Sequence, residues 1–168
     1  PAETARRRGR EAYRARDLPE ALGWFSKAVE LCPGNVTHWA NRSAALYETG
    51  DHLGCLRDCD AALELPEMRA GHPGARAPGG GAFLGTLSAR LLARKGNAHR
   101  ALKDEENALM AFEQALTRVT EGSEEALELG GAFFSGLEQQ RNQLRDEVRR
   151  KQNPEREAQE RAERCAAV

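Results

Sequence analysis

The chain has 168 residues, enough for one domain or one repeat array with a buried core. Aromatics make up 5% and the formal net charge is -1, so no global basic field suits nucleic acid, and the abundance of Ala, Leu, Glu and Arg favours helices. No apolar run reaches the length of a membrane span and no signal-peptide core is visible, so neither nucleic acid nor membrane is expected as a partner.

The chain opens on Pro1 rather than Met, which implies a fragment or a processed form. Four cysteines, Cys32, Cys55, Cys59 and Cys165, lack the spacing of a disulfide framework and fit a reducing, cytoplasmic setting. His52, Cys55 and Cys59 can share a helix face. With no second ligand pair at zinc-like spacing, the two cysteines read as small apolar packing residues and no metal is expected.

In chain order, "ARRRGREAYRARDLPEALGWFSKAVELCP" aligns with "HWANRSAALYETGDHLGCLRDCDAALELP". Gly9 and Ser43 lie 34 residues apart, the period of helix–turn–helix arrays. Ala21, Phe25 and Ala28 follow the first; Cys55, Cys59 and Ala62 follow the second at the same offsets. A third copy, "ARKGNAHRALKDEENALMAFEQALT", supplies Gly96, Ala108, Phe112 and Ala115 in register. Small residues at Gly9, Ser43 and Gly96 allow the first helix of each pair to lie close against the second. Ala21, Cys55 and Ala108 are their small counterparts, and Phe25, Phe112, Leu22, Leu56 and Leu109 are expected to fill the space between pairs. "RDLPE" and "TGDHL" are the turns, with Gly50 suited to a helix C-terminus and Asp51 to the next N-cap; Pro33 closes the second helix.

These residues resemble the tetratricopeptide-repeat family over roughly residues 2–121. The resemblance implies an all-α fold: three helix–turn–helix repeats (2–35, 36–69 and 89–121) in a right-handed superhelical array, followed by a capping helix. Between repeats two and three, "RAGHPGARAPGGGAFLGTLS" (70–88 in the main) reads as a Gly/Pro-rich insertion leading into an extended start of the third repeat. Residues 122–152 place Ala126, Gly130, Phe133, Leu137, Leu144 and Val148 at helical spacing, as a cap over the last open face requires. The segment 153–168 mixes acids and arginines as a solvated helix or fraying tail.

In such arrays the first helices line a concave groove. If Gly9 faces the partner helix, Arg6, Arg10 and Tyr13 share a stripe; the matching face carries Thr37, Asn41, Ala44 and Glu48 in repeat two, and Arg90, Arg94 and Asn97 in repeat three. Arginine forks and asparagine amides converging on one concavity make an anion receptor. Charge-assisted bonds of about 1.5–3 kcal/mol each, less ordering costs, support roughly micromolar capture of a short acidic tail. No acid is expected near the middle of this surface, and Arg7, Arg14 and Arg16 read as solvated.

The pattern resembles the carboxylate-clamp class of tetratricopeptide cochaperone modules, above all the middle module of the chaperone-organising type. Such modules grip the C-terminal Glu-Glu-Val-Asp of the seventy- and ninety-kilodalton heat-shock chaperones. The clamp runs Lys, Asn, Asn, Lys, Arg, matched here by Arg6, Arg10, Asn41, Arg90 and Arg94. Tyr13, Thr37, Glu48 and Asn97 are similar supporting positions, and "ARKGNAH" is similar to that module's third repeat. The resemblance implies that Arg6, Arg10 and Asn41 hold the terminal carboxylate, while Arg90 and Arg94 take an upstream acid and peptide carbonyls. Arg10 departs from the clamp's asparagine: a longer cation either holds the carboxylate or fills the pocket.

The implied function is a protein–protein interaction module of cochaperone or adaptor type. The alternative is a scaffold in a larger assembly whose groove or charged tail packs on another protein. No paired carboxylates, Ser/His/Asp set or metal cluster shares a predicted pocket, so neither catalysis nor a cofactor is expected. RNA binding would need interleaved aromatics.

Overall fold

The computed structural model describes residues 1–68, 80–120 and 124–152, with side chains for 1–68, 85–118 and 131–152. Most of the Gly/Pro-rich insertion, the side chains of Ala126 and Gly130, and the tail at 153–168 lie outside the described residues. Among the described residues seven α-helices follow one another: α1 (Ala2–Arg14), α2 (Leu18–Leu31), α3 (Val36–Glu48), α4 (His52–Glu64), α5 (Gly80–Ala101), α6 (Glu105–Thr120) and α7 (Glu124–Gln152), with a 3-10 turn at Pro66–Met68. Helix α5 begins inside the segment read as insertion and runs 22 residues, against 13 for α1 and for α3. No helix among the described residues is long and apolar enough to cross a membrane.

Each helix packs on the next in sequence, and α1 touches α3 as α3 touches α5, so the first helices of the three pairs stand side by side. Helix α7 lies on α6 and α5, where Leu137, Leu144 and Val148 join Leu92, Ala93 and Phe112 in a core that covers the end of the third pair. Phe134 is buried against Ala89, a contact the apolar spacing did not single out.

The turns within the pairs share one chemistry. Asp17, Asp51 and Asp104 each accept from the backbone N–H three residues ahead, at 3.0, 2.8 and 3.3 Å, so an orphan donor of each second helix is satisfied. The residue before each aspartate has positive φ: Arg16 at 65°, Gly50 at 83° and Lys103 at 62°. Only the middle turn places glycine in this left-handed conformation, which penalises a side chain bearing a Cβ.

The pair crossings explain the repeated small residues. A Cβ at Gly9 would meet the Phe25 ring at 2.5 Å, and one at Gly96 would meet the Phe112 ring at 2.5 Å. The two rings therefore sit inside the crossing of their own pair, rather than filling the space between pairs. In the second pair the sizes are exchanged, with Ser43 and Cys59 both fully buried. Cys55 and Cys59 belong to the core with Val36, Ala40, Ala62, Leu91 and Ala98, so they act as packing residues.

Two substitutions test these constraints. The fully buried Phe112 ring has no room to retreat, so Gly96→Ala is expected to lose about 1–2 kcal/mol, overpacking outweighing the better helix propensity of alanine. Lys103→Gly, which relieves the positive φ, is expected to gain up to about 1 kcal/mol. Thermal melts of both variants check the pair, and a rise in Tm for Gly96→Ala would refute the crossing.

Candidate functional site

The nine candidate residues lie on α1, α3 and α5, and the structure brings only some of them together. Arg10, Tyr13 and Asn41 line one pocket of about 200 Å³ together with Arg14, Phe25 and Ala44. Helix α1 brings Arg10, Tyr13 and Arg14 to it because they are separated by three and four residues, and α3 brings Asn41 and Ala44 by the same rule. A larger cleft of about 760 Å³, lined by Leu63, Met68, Leu92 and Met110 among others, contains none of the candidates.

Asn41 lines the pocket, and its Nδ2 is buried with no hydrogen-bond partner among the described residues. A buried donor left unsatisfied costs about 1–3 kcal/mol. Arg10 is exposed and is one of the residues that line the pocket. Arg14, read as solvated surface, is exposed and also lines the same pocket, one turn beyond Arg10. The Tyr13 ring tilts against Phe25 at 6.4 Å, and burial first, then the Glu48 charge, pushes its phenol above the ordinary range.

Arg94 projects from α5 onto α3. Its Nη1 donates to the Ala40 carbonyl at 3.0 Å and to Ser43 Oγ at 2.9 Å, while Ser43 Oγ donates to the Ala40 carbonyl at 3.0 Å. Arg90, one turn earlier on α5, is exposed. Thr37 is half-buried and its N–H is capped by Asn35 at 2.9 Å; Asn97 is half-buried on α5. Arg90, Thr37 and Asn97 do not line the pocket.

Acids do reach this face. Arg6 forks onto Glu3 of its own helix, with Nε donating at 2.8 Å, and that bond holds the Glu3 carboxyl below its ordinary range. Glu3 is 70% exposed, so the pair is weak. Glu48 accepts from Arg16 at 3.1 Å, so Arg16 is engaged as well. Glu3 and Arg14 were both accessible to helical spacing: Glu3 precedes Arg6 by three residues and Arg14 follows Arg10 by four.

His38 lies buried in the first turn of α3, and its Nδ1 has no partner among the described residues. Burial first, then the Arg6 charge, lowers its pKa from the ordinary histidine value. The folded chain thus binds this proton more weakly than the unfolded chain, and stability falls as pH drops below about 6.5. Melting curves at pH 5 and pH 7.5 should show a lower Tm at pH 5, with a smaller difference in His38→Gln; equal differences would refute the assignment.

No family model matches the chain. The chain is 33% identical over 114 residues to the Hsp70-Hsp90 organizing protein 1 of Glycine max, which covers 65% of this chain and 18% of that protein. The chain therefore spans about a fifth of the length of the curated relatives it matches. Among solved structures, the TPR2B domain of yeast Sti1 in complex with an Hsp70 peptide superposes with a TM-score of 0.65 at 22% identity, covering 87% of this chain and 97% of that one. The first TPR of Spaghetti (RPAP3), bound to the HSP90 peptide SRMEEVD, gives 0.56 at 19% identity, covering 82% and 90%. The fold is a tetratricopeptide-repeat array with a C-terminal capping helix.

Proposed function

We propose that this tetratricopeptide domain is a cochaperone-type receptor whose α1–α3–α5 face binds the acidic C-terminal tail of a seventy- or ninety-kilodalton heat-shock chaperone. The observation that carries the reading is a pocket lined together by Arg10, Arg14 and Asn41, whose Nδ2 is buried and without a partner among the described residues. A terminal carboxylate supplies what that wall lacks: one oxygen for the amide and a second for a guanidinium. Arg94 and Arg90 lie farther along the same face on α5, where the next acidic side chain and the peptide carbonyls of an extended tail arrive. The two structural neighbours above were solved with chaperone peptides, one of them ending in Glu-Glu-Val-Asp, which supports a ligand of this class.

The lining residues of the pocket are cations, an amide, a phenol and apolar groups, with no carboxylate or imidazole among them to act as a general base. We therefore read the domain as a non-catalytic adaptor, working in the cytoplasm where such chaperones and free thiols coexist. Arg10, in place of an amide, adds charge at the pocket and makes the interaction more salt-dependent.

Calorimetric titration with the peptide SRMEEVD is expected to give roughly micromolar affinity. Amidating its C-terminus, or Asn41→Ala, should weaken binding about tenfold or more, and Arg10→Ala should weaken it less while flattening the salt dependence. Equal affinity for the free and amidated peptides would overturn the proposal.

A further inference from the structure

Among the hydrogen-bonded cations of the groove and its flanks, Arg94 is unusual in what holds it. Half-buried Arg42 is clasped by Asp58 at 2.7 Å through two nitrogens, and half-buried Lys95 meets Asp60 at 2.6 Å. Arg94, equally sheltered, is held only by a carbonyl and a hydroxyl, and no carboxylate among the described residues lies within ion-pair distance of it. Both hydrogens of Nη1 are engaged, while Nη2 and Nε make no protein hydrogen bond among the described residues. Neutral acceptors fix the direction of the side chain without cancelling its charge.

The hydroxyl in that seat stands where the other two pairs have glycine. In the first and third pairs a phenylalanine ring occupies the crossing and leaves no space for a Cβ. In the second pair Cys59 takes the ring's place, and the vacated volume admits Ser43. The exchange keeps the crossing filled and adds one oxygen, which Arg94 of the following repeat uses.

Resting on the peptide-binding reading above, we propose that the Ser43–Cys59 crossing is a seat that presets Arg94 for the ligand, making Ser43 a positioning residue for peptide recognition. Its hydroxyl donates to the Ala40 carbonyl and so presents a lone pair to Arg94 in a fixed direction. The guanidinium then meets an acidic side chain already oriented, and the ordering cost of a long cation is met in the folding of the array rather than at binding.

The test titrates SRMEEVD into the 168-residue chain and four variants: Arg94→Ala, Ser43→Ala, both together, and the double exchange Ser43→Gly/Cys59→Phe. The last rebuilds the glycine–phenylalanine crossing of the other pairs, so it is expected to keep helicity and Tm. Arg94→Ala should weaken binding about tenfold, and Ser43→Ala and the double exchange about three- to fivefold each. Ser43→Ala/Arg94→Ala should be no weaker than Arg94→Ala alone, because the serine acts only through the arginine. Wild-type affinity in Ser43→Ala, with Arg94→Ala still impaired, would overturn the seat and leave the receptor intact. Additive losses in the double variant would overturn it too. No effect of Arg94→Ala would remove both the seat and Arg94's part in the clamp, whereas failure of the receptor itself reads out separately as indifference to amidation.

Discussion

The array depends on how closely two helices cross within each pair. At Gly9 and Gly96 the first helix has no side chain, and an aromatic ring from the second helix lies against its backbone. Close crossing lets helices as short as 13 or 14 residues bury alanines and the Phe25 ring, although the chain has few aromatics. It also fixes the rotation of each first helix about its own axis. Once glycine faces the partner, the residues on the opposite side of the helix turn away from the core, and a polar face follows there.

The charges on that face and around it divide by how they are balanced. Arg6, Arg16, Arg42 and Lys95 have carboxylate partners within the fold, and such pairs settle the geometry of the helices with modest energy. Arg10 and Arg14 line the pocket, and Arg94 is held by a carbonyl and a hydroxyl with no carboxylate within ion-pair distance among the described residues. On the proposed reading, such a surface would attract anions over a distance set by the Debye length and then hold them with directed hydrogen bonds.

Much of this was legible before any coordinates. The recurrence of Gly9, Ser43 and Gly96 with small residues and Phe25 or Phe112 at common offsets gives helix pairing, number and order, because each offset reflects a single crossing geometry. Arg10, Tyr13 and Asn41 were legible as neighbours for the same reason, since a repeat period places residues of successive first helices side by side. What spacing within a helix offered but compositional reading set aside was Glu3 on Arg6 and Arg14 beside Arg10. The bond from Arg94 to Ala40 and Ser43 was not legible at all, because it joins a side-chain rotamer in one repeat to a backbone carbonyl in another. The position of the two rings was misjudged through a related gap: an offset tells that a ring and a glycine correspond, but not that they touch.

The link from Arg94 to α3 also bears on how the array breathes. In a linear stack each repeat leans only on its neighbours, and the ends open more readily than the middle. A hydrogen bond that crosses from the third pair into the second couples two opening events that nearest-neighbour packing alone would leave more independent. Backbone amides of α3 and α5 would then exchange with solvent as one unit, and an occupant spanning both helices would slow them together. The groove would be most cooperative where it is most composite, and the free energy of local opening would set how long a bound tail stays.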